Sequence, residues 1–134
     1  MKIYKVSHFM KIVSSPEIPK SLGHYSMCIE HNDTLYLSGQ IPIDPATGKV
    51  PNTIEKQTFL LLQNIEKTLK EAGSDKNRIL RNEVFLADIA DWSVVNKIYS
   101  DFFGTHKPAR MVVGGVQLHH DSLIGITTTA ELVG

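Results

Sequence analysis

The order of apolar and polar residues predicts a strand-rich N-terminal third. Residues 2–13 mix apolar and polar side chains, which predicts one or two short strands, and the prolines and glycine of residues 14–24 predict a loop. Residues 25–31 and 34–41 are rich in β-forming side chains. Because only Asn32-Asp33 separates these two runs, they predict a β-hairpin.

A helical repeat of apolar residues then predicts two helices. The first spans residues 53–72, with Thr53 as its N-cap, and the second spans residues 92–103, with Asp91 as its N-cap. A glycine directly follows each predicted helix and would end it. The buried stripe of the first helix is predicted to consist of Leu61, Leu62, Ile65, Leu69 and Ala72.

Three more strands complete the predicted domain, which covers residues 1–134. They span residues 79–87, 111–118 and 123–132, and the turn His119-His120-Asp121 connects the last two. The strand side chains predicted to be buried are Val84, Phe85, Leu86, Met111, Val112, Val113 and Val116. The pattern indicates an α+β domain with both helices on one face of a sheet. The other face needs a cover, which self-association would supply.

Composition and charge restrict the classes of partner. Lysine and arginine together number 14, as do aspartate and glutamate, so the net charge is zero and argues against nucleic acid as a partner. No stretch reaches the roughly 18 apolar residues of a membrane span, so no membrane partner is expected. The single cysteine, Cys28, lies in an apolar run and is expected to be inert filler in a reducing compartment.

The expected location is the cytoplasm, although the N-terminal segment leaves a mitochondrial address open. Residues 1–15 carry three lysines and no acidic residue, as a mitochondrial presequence can. Such presequences are usually rich in arginine, which this segment lacks. We therefore interpret the segment as part of the fold.

Arg110 is the candidate binding residue that the sequence marks most clearly. Pro108 cannot continue a helix, so Arg110 is expected at the mouth of the strand predicted over residues 111–118. A guanidinium in that position can hold a carboxylate through two parallel hydrogen bonds. From the residues alone, an ion pair with a nearby Asp or Glu is the favoured alternative.

Four motifs occur in the order in which one known family has them. They are Gly23-His24-Tyr25-Ser26, the block from Ser38 to Gly48, Val95-Asn96 with Tyr99 and Phe102-Phe103, and Pro108-Ala109-Arg110. In these motifs, over about residues 14–132, the chain resembles the YjgF/Rid family, also called the reactive-intermediate deaminase family. Each motif alone is weak, but the four in order are specific.

The resemblance implies a chorismate-mutase-like fold, with a mixed sheet, two helices on one face, and a homotrimer whose clefts lie between subunits. It also implies hydrolysis of 2-imino acids of the 2-iminobutyrate type to 2-keto acids and ammonia, without a cofactor. Arg110 would be the catalytic residue that binds the small 2-imino or 2-keto carboxylate. The other substrate-binding residues that the resemblance implies are Tyr25, Ser38, Gly39, Asn96 and Val112.

The chain departs from the family pattern at two positions. Val112 stands where many of the deaminases have cysteine, a change without consequence if the backbone there holds the imine nitrogen or the attacking water. Gly125 stands where the family has the glutamate expected to orient the water and pass protons. His119 and His120 are interpreted as solvent-exposed turn residues, and with no ligand spacing around them no metal is expected.

Three functions stay open at the level of the sequence. The first is a 2-imino acid deaminase, with low activity because Gly125 replaces the family glutamate. The second is a non-catalytic protein that keeps the Arg110 pocket and binds small carboxylates. The third is an RNA-directed role of the endoribonuclease L-PSP type, against which the zero net charge weighs.

Overall fold

The computed structural model describes residues 9–133, and its elements follow the predicted order. The strands are β1 (Lys11–Ile12), β2 (Cys28–His31), β3 (Thr34–Leu37), β4 (Ile79–Leu86), β5 (Ala109–Val113) and β6 (Ile124–Glu131). The helices are α1 (Ile54–Glu71) and α2 (Trp92–Phe103), and short 3-10 turns lie at Lys76–Arg78, Ile89–Asp91 and His119–Asp121. The part of the predicted strand region before residue 9 lies outside the described residues.

The six strands form one mixed sheet in the order β1-β2-β3-β6-β4-β5. All neighbours are antiparallel except β4 and β5, which run parallel. A parallel pair needs a crossover connection, and α2 lies in the connection between β4 and β5. The last two strands of the chain are consecutive in sequence but not neighbours in the sheet, because β4 lies between them.

The β2–β3 hairpin turns at Asn32 and Asp33, as predicted. Both residues have left-handed backbone, with φ of 51° and 60°. Positive φ at both central residues is the geometry of a two-residue turn that matches the twist of the flanking strands. The local sequence therefore sets the register of β2 against β3.

The segment after β3 changes its pairing partner, so the predicted strand over residues 34–41 is interrupted. Ser38 N–H still donates to Met27 O at 2.9 Å, but Gln40 forms an isolated bridge with Ile126 of β6. A Cβ placed on Gly39 would lie 3.2 Å from Thr127 Oγ1, which is a tight contact. Gly39 thus lets the chain pass close to β6.

One of the two predicted helix caps is present. Thr53 Oγ1 accepts a hydrogen bond from Lys56 N–H at 3.2 Å and caps α1. The prediction for Asp91 was wrong, because its backbone is helical and its side chain makes no capping hydrogen bond. Asp88 instead accepts from Ala90 N–H at 2.9 Å and begins the 3-10 turn that leads into α2.

The core lies between the sheet and the two helices, which cover one face as predicted. Its members from the helices and central strands include Leu61, Leu62, Ile65, Leu69, Val95, Phe103, Val84, Leu86, Ile124 and Ile126. Because side chains alternate along a strand, Val84 and Leu86 point to the helices while Phe85 is only half-buried on the other face. The prediction that Phe85 is buried was therefore wrong.

We call the sheet face opposite the helices the open face. On it, Met111 is 57% exposed, Val113 is 40% exposed and Tyr36 is 50% exposed. The prediction of a buried strand over residues 111–118 was wrong, because β5 is an edge strand that ends at Val113. Val112 points to the helices and packs against the core.

No helix within the described part of the chain is long and apolar enough to cross a membrane. The lysine-bearing N-terminal segment is described only from residue 9 onwards. Its β1 pairs with β2 in an antiparallel register from Lys11 opposite Glu30 to Ile12 opposite Ile29.

We expect Gly114→Ala to destabilise the fold, because a Cβ there would lie 2.5 Å from Ile89 Cβ and 3.0 Å from Ile89 Cα. Overpacking of this kind costs about 1–3 kcal/mol. Gly125→Ala is the matched control, since its Cβ would meet Leu118 and Gln40 at 3.5 Å. Urea unfolding should show a lower free energy of unfolding for Gly114→Ala only, and equal values for both variants would contradict the prediction.

Candidate functional site

Arg110 is half-buried at the start of β5 and its guanidinium rests against α2. Its Nη1 donates to Asn96 Oδ1 at 3.0 Å. The guanidinium carbon lies 4.8 Å from the centroid of the Tyr99 ring and 5.7 Å from that of Trp92. One amide and two aromatic rings therefore hold the cation, and a cation over an aromatic face is stabilised by about 0.5–2 kcal/mol.

No carboxylate lies within 4.0 Å of Arg110 among residues 9–133. Every ion pair in that part of the chain involves other cations. The alternative in which Arg110 pairs with a nearby acid is thus not found in the described residues. Asn96 is neutral and satisfies only part of the donor set, because a guanidinium carries five N–H donors. The arrangement leaves a fixed positive charge available for an anion.

A buried polar chain lies directly beneath Arg110. Thr128 Oγ1 donates to Asn82 Oδ1 at 2.8 Å, and Asn82 Nδ2 donates to the Tyr99 hydroxyl at 2.9 Å. All three side chains are buried, and Asn82 is the neighbour of Arg110 in the parallel register. These hydrogen bonds link β6, β4 and α2 and fix the Tyr99 ring on which the guanidinium rests.

Burial raises the pKa of Tyr99, although the hydrogen bond from Asn82 and the charge of Arg110 act in the opposite direction. The phenol therefore stays neutral at physiological pH and serves as a platform rather than a base. Sequence reasoning missed the role of Asn82. Its one visible signal is an amide in alternation with Val84 and Leu86, which face the helices.

Tyr25, Ser38 and Gly39 form a second group on another part of the molecule. They line a cavity of about 650 Å³ between the N-terminal loop, the second half of α1 and the segment after β3. Ser38 Oγ donates to Ser26 O at 2.6 Å, so the hydroxyl is engaged within the chain. Tyr25 is exposed, and its hydroxyl accepts from Leu22 N–H at 3.3 Å.

The two groups do not meet within one chain. Arg110, Asn96 and Val112 are not among the described residues that line the cavity of Tyr25 and Ser38. Two strands, β4 and β6, separate β5 from β3 in the sheet, which corresponds to about 14 Å at ~4.8 Å per strand. The structure therefore brings Arg110 to Asn96, and Ser38 to Gly39 and Tyr25, but not one group to the other.

Gly125 lies on the side of the sheet opposite to Arg110. It is paired with Phe85, which faces the open face, whereas Arg110 is paired with Asn82, which faces the helices. Side chains directly opposite in neighbouring strands share a face. A side chain at position 125 would consequently not reach the guanidinium of its own chain.

The structure also describes the surroundings of Cys28 and of the side chains that could bind a metal. Cys28 is fully buried, and burial raises the pKa of its thiol to about 11, with a smaller contribution from Glu30. The thiol therefore stays protonated and acts as core filler, as expected from the sequence. Within residues 9–133, no group of three or more His, Cys, Asp or Glu side chains is arranged to hold a metal ion.

Comparison with known proteins agrees with the motifs described above. The family model for endoribonuclease L-PSP matches residues 16–132. The chain belongs to this YjgF/Rid family. Its mixed sheet with two helices is the fold of the solved structures in the family.

Three relatives illustrate how close this Rid family member is to others. A 2-iminobutanoate/2-iminopropanoate deaminase from Bos taurus is 36% identical over 131 residues, covering 91% of this chain and 96% of the bovine protein. The structure of a conserved Rid family protein from Yersinia pestis has 40% identity and a TM-score of 0.87, covering 92% of this chain and all of that chain. The structure of Escherichia coli TdcF with bound serine has 30% identity and a TM-score of 0.84, covering 90% and 98% of the two chains.

We expect Arg110→Lys to weaken binding of 2-ketobutyrate by roughly tenfold, or about 1.4 kcal/mol, because a point charge replaces a planar two-pronged donor. Unfolding stability should change little, since the guanidinium is only half-buried. Titration calorimetry on wild type and variant measures the affinity. Arg78→Lys is the control, because Arg78 is an exposed arginine paired with Glu131 at 3.1 Å. Equal affinity in wild type and Arg110→Lys would remove Arg110 from the site.

Proposed function

We propose that this Rid family member hydrolyses small 2-imino acids to 2-keto acids and ammonia. The observation that carries the proposal is the half-buried Arg110, which rests on Tyr99, is held by Asn96 and has no acidic partner among the described residues. A 2-imino acid carries the carboxylate that this arrangement suits. The bovine relative is named as a 2-iminobutanoate deaminase, which supports the reaction class.

We propose that the complete site forms between copies of this chain, in a homotrimer. Arg110, Asn96 and Val112 would come from one copy, and Tyr25, Ser38 and Gly39 from another. The separation of the two groups within one chain supports this proposal, because one small ligand cannot span them. The apolar side chains on the open face and on the edge strand β5 also suit contact between copies.

In the proposed mechanism, the free N–H groups of Arg110 hold the substrate carboxylate in a two-pronged hydrogen bond. Fixing the carboxylate fixes the adjacent imine carbon, and positioning of this kind supplies much of the rate of an intermolecular reaction. The backbone at Val112 and the segment of Ser38 and Gly39 would hold the imine nitrogen and the attacking water. The proposed reaction uses no cofactor.

A specific observation favours a second candidate, a small-carboxylate binder without catalysis. Position 125, where the pattern of the family has a proton-handling glutamate, is a glycine here. General acid–base help contributes about a hundredfold to ten-thousandfold in rate. Losing it would leave the Arg110 site able to bind and slow to react.

The trimer predicts a sedimentation-equilibrium mass of three 15.0 kDa chains at micromolar concentration. Met111→Glu should lower that mass, because it places a charge on the open face beside the β5 edge. Phe59→Glu is the matched control, since Phe59 is 53% exposed on α1, away from that face. A monomeric wild type, or equal loss of mass in both variants, would contradict the proposed assembly.

We expect wild type to hydrolyse 2-iminobutyrate slowly and Gly125→Glu to be faster, because the carboxylate would handle protons. A Cβ at position 125 would lie 3.5 Å from Gln40 O and 3.5 Å from Leu118, which is ordinary van der Waals contact, so the first atom of the side chain fits. Competition with semicarbazide for 2-iminobutyrate generated in place measures the rate. Gly125→Gln is the control, with the same size and no titrating group.

Several outcomes separate the two candidate functions. A wild type that binds 2-ketobutyrate but never accelerates hydrolysis identifies the binder. Equal rates for Gly125→Glu and Gly125→Gln would show that the effect is one of shape. A wild type as fast as the bovine deaminase under the same conditions would show that the missing carboxylate has no consequence.

A further inference from the structure

His119 lines the same cavity as Tyr25, Ser38 and Gly39. It lies in the 3-10 turn His119–Asp121, which connects β5 to β6 after an irregular segment. The sequence marked it as a solvent-exposed turn residue, and it is exposed. The structure adds that His119 lines this cavity, whereas His120 is not among the described residues that line it.

The turn that carries His119 packs on the position that lacks the carboxylate. A Cβ on Gly125 would lie 3.5 Å from Leu118 Cδ2 and 3.5 Å from Gln40 O. Leu118 directly precedes His119, and Gln40 lines the same cavity as His119. His119 is thus adjacent in sequence to one neighbour of position 125, Leu118, and shares its cavity with the other, Gln40.

We propose that His119 is the proton-handling residue of the imine hydrolysis in this protein, in place of a carboxylate at position 125. This inference rests on the function proposed above. Imidazole exchanges protons close to neutral pH, which is the property that general acid–base catalysis needs. The adjacent His120 has no role in this proposal and serves as the control.

The substrate of the proposed step is a protonated imine. Neutral His119 accepts a proton from water while the water oxygen bonds to the imine carbon, and the electron pair of the C=N double bond moves to nitrogen. The imidazolium then returns that proton to the nitrogen of the carbinolamine. The C–N bond breaks, ammonia leaves with the bonding pair, and the hydroxyl proton passes to solvent as the C=O bond of the 2-keto acid forms.

The turn itself holds the His119 backbone in place. His120 and Asp121 have left-handed backbone, with φ of 58° and 52°, and Ser122 N–H donates to His119 O at 3.3 Å. The two imidazole rings lie 4.2 Å apart between centroids. The charged or titratable side chains near His119 are His120 and Asp121 in the turn and Glu17, Lys20, Tyr25 and Lys67 on the cavity wall.

The test compares His119→Asn with His120→Asn, because asparagine keeps size and hydrogen bonding but does not titrate. We expect His119→Asn to lower kcat for 2-iminobutyrate hydrolysis at least tenfold with unchanged affinity for 2-ketobutyrate, and His120→Asn to match wild type. The pH profile of kcat/KM should differ between wild type and His119→Asn and should be the same in wild type and His120→Asn. Adding Gly125→Glu to His119→Asn should restore the rate.

Two results would overturn the assignment while leaving the proposed function intact. One is an active wild type with an equally active His119→Asn and the same pH profile. The other is an equal loss in His120→Asn, which would indicate a structural role of the turn. An inactive wild type that still binds 2-ketobutyrate would instead overturn the deaminase function and the role of His119 with it.

Discussion

The candidate site depends on one buried polar chain, from Thr128 through Asn82 to Tyr99. It joins the central strands to α2 in surroundings that are otherwise apolar, so each of its groups relies on the next for a hydrogen bond. Leaving one such group unsatisfied costs about 1–3 kcal/mol. The same hydrogen bonds hold the Tyr99 side chain, over whose ring the Arg110 guanidinium lies. Core stability and the placement of the Arg110 charge are therefore properties of the same three side chains.

Features that depend on residues close together in the sequence could be predicted from it. The turn at Asn32-Asp33, the cap at Thr53 and the stripe of α1 all follow from local pattern. Burial in the strands was predicted less well, because an apolar run does not say which side chains face the helices. Phe85 and Met111 belong to such runs and lie on the open face. Met111 is also on β5, and only the order of strands in the sheet identifies β5 as an edge strand.

The candidate site was likewise predicted only in part from the sequence. The pairing of Arg110 with Asn96 joins two elements close in sequence, and the motifs pointed to both residues. Asn82 was missed because its partners lie 17 and 46 residues away in the chain. The distance between the Arg110 group and the Ser38 group was also hidden, since it follows from β6 and β4 lying between β3 and β5. Long-range strand order is what local pattern does not contain.

The buried thiol of Cys28 has a practical consequence for measuring motion in this fold. It is the one sulfhydryl in the sequence, it lies in β2, and it is sealed from solvent. Because only an exposed, ionised thiol is alkylated quickly, each labelling event requires an opening of the fold that exposes β2. The rate at which a thiol reagent reacts under native conditions thus reports how often β2 becomes exposed, without any engineered probe.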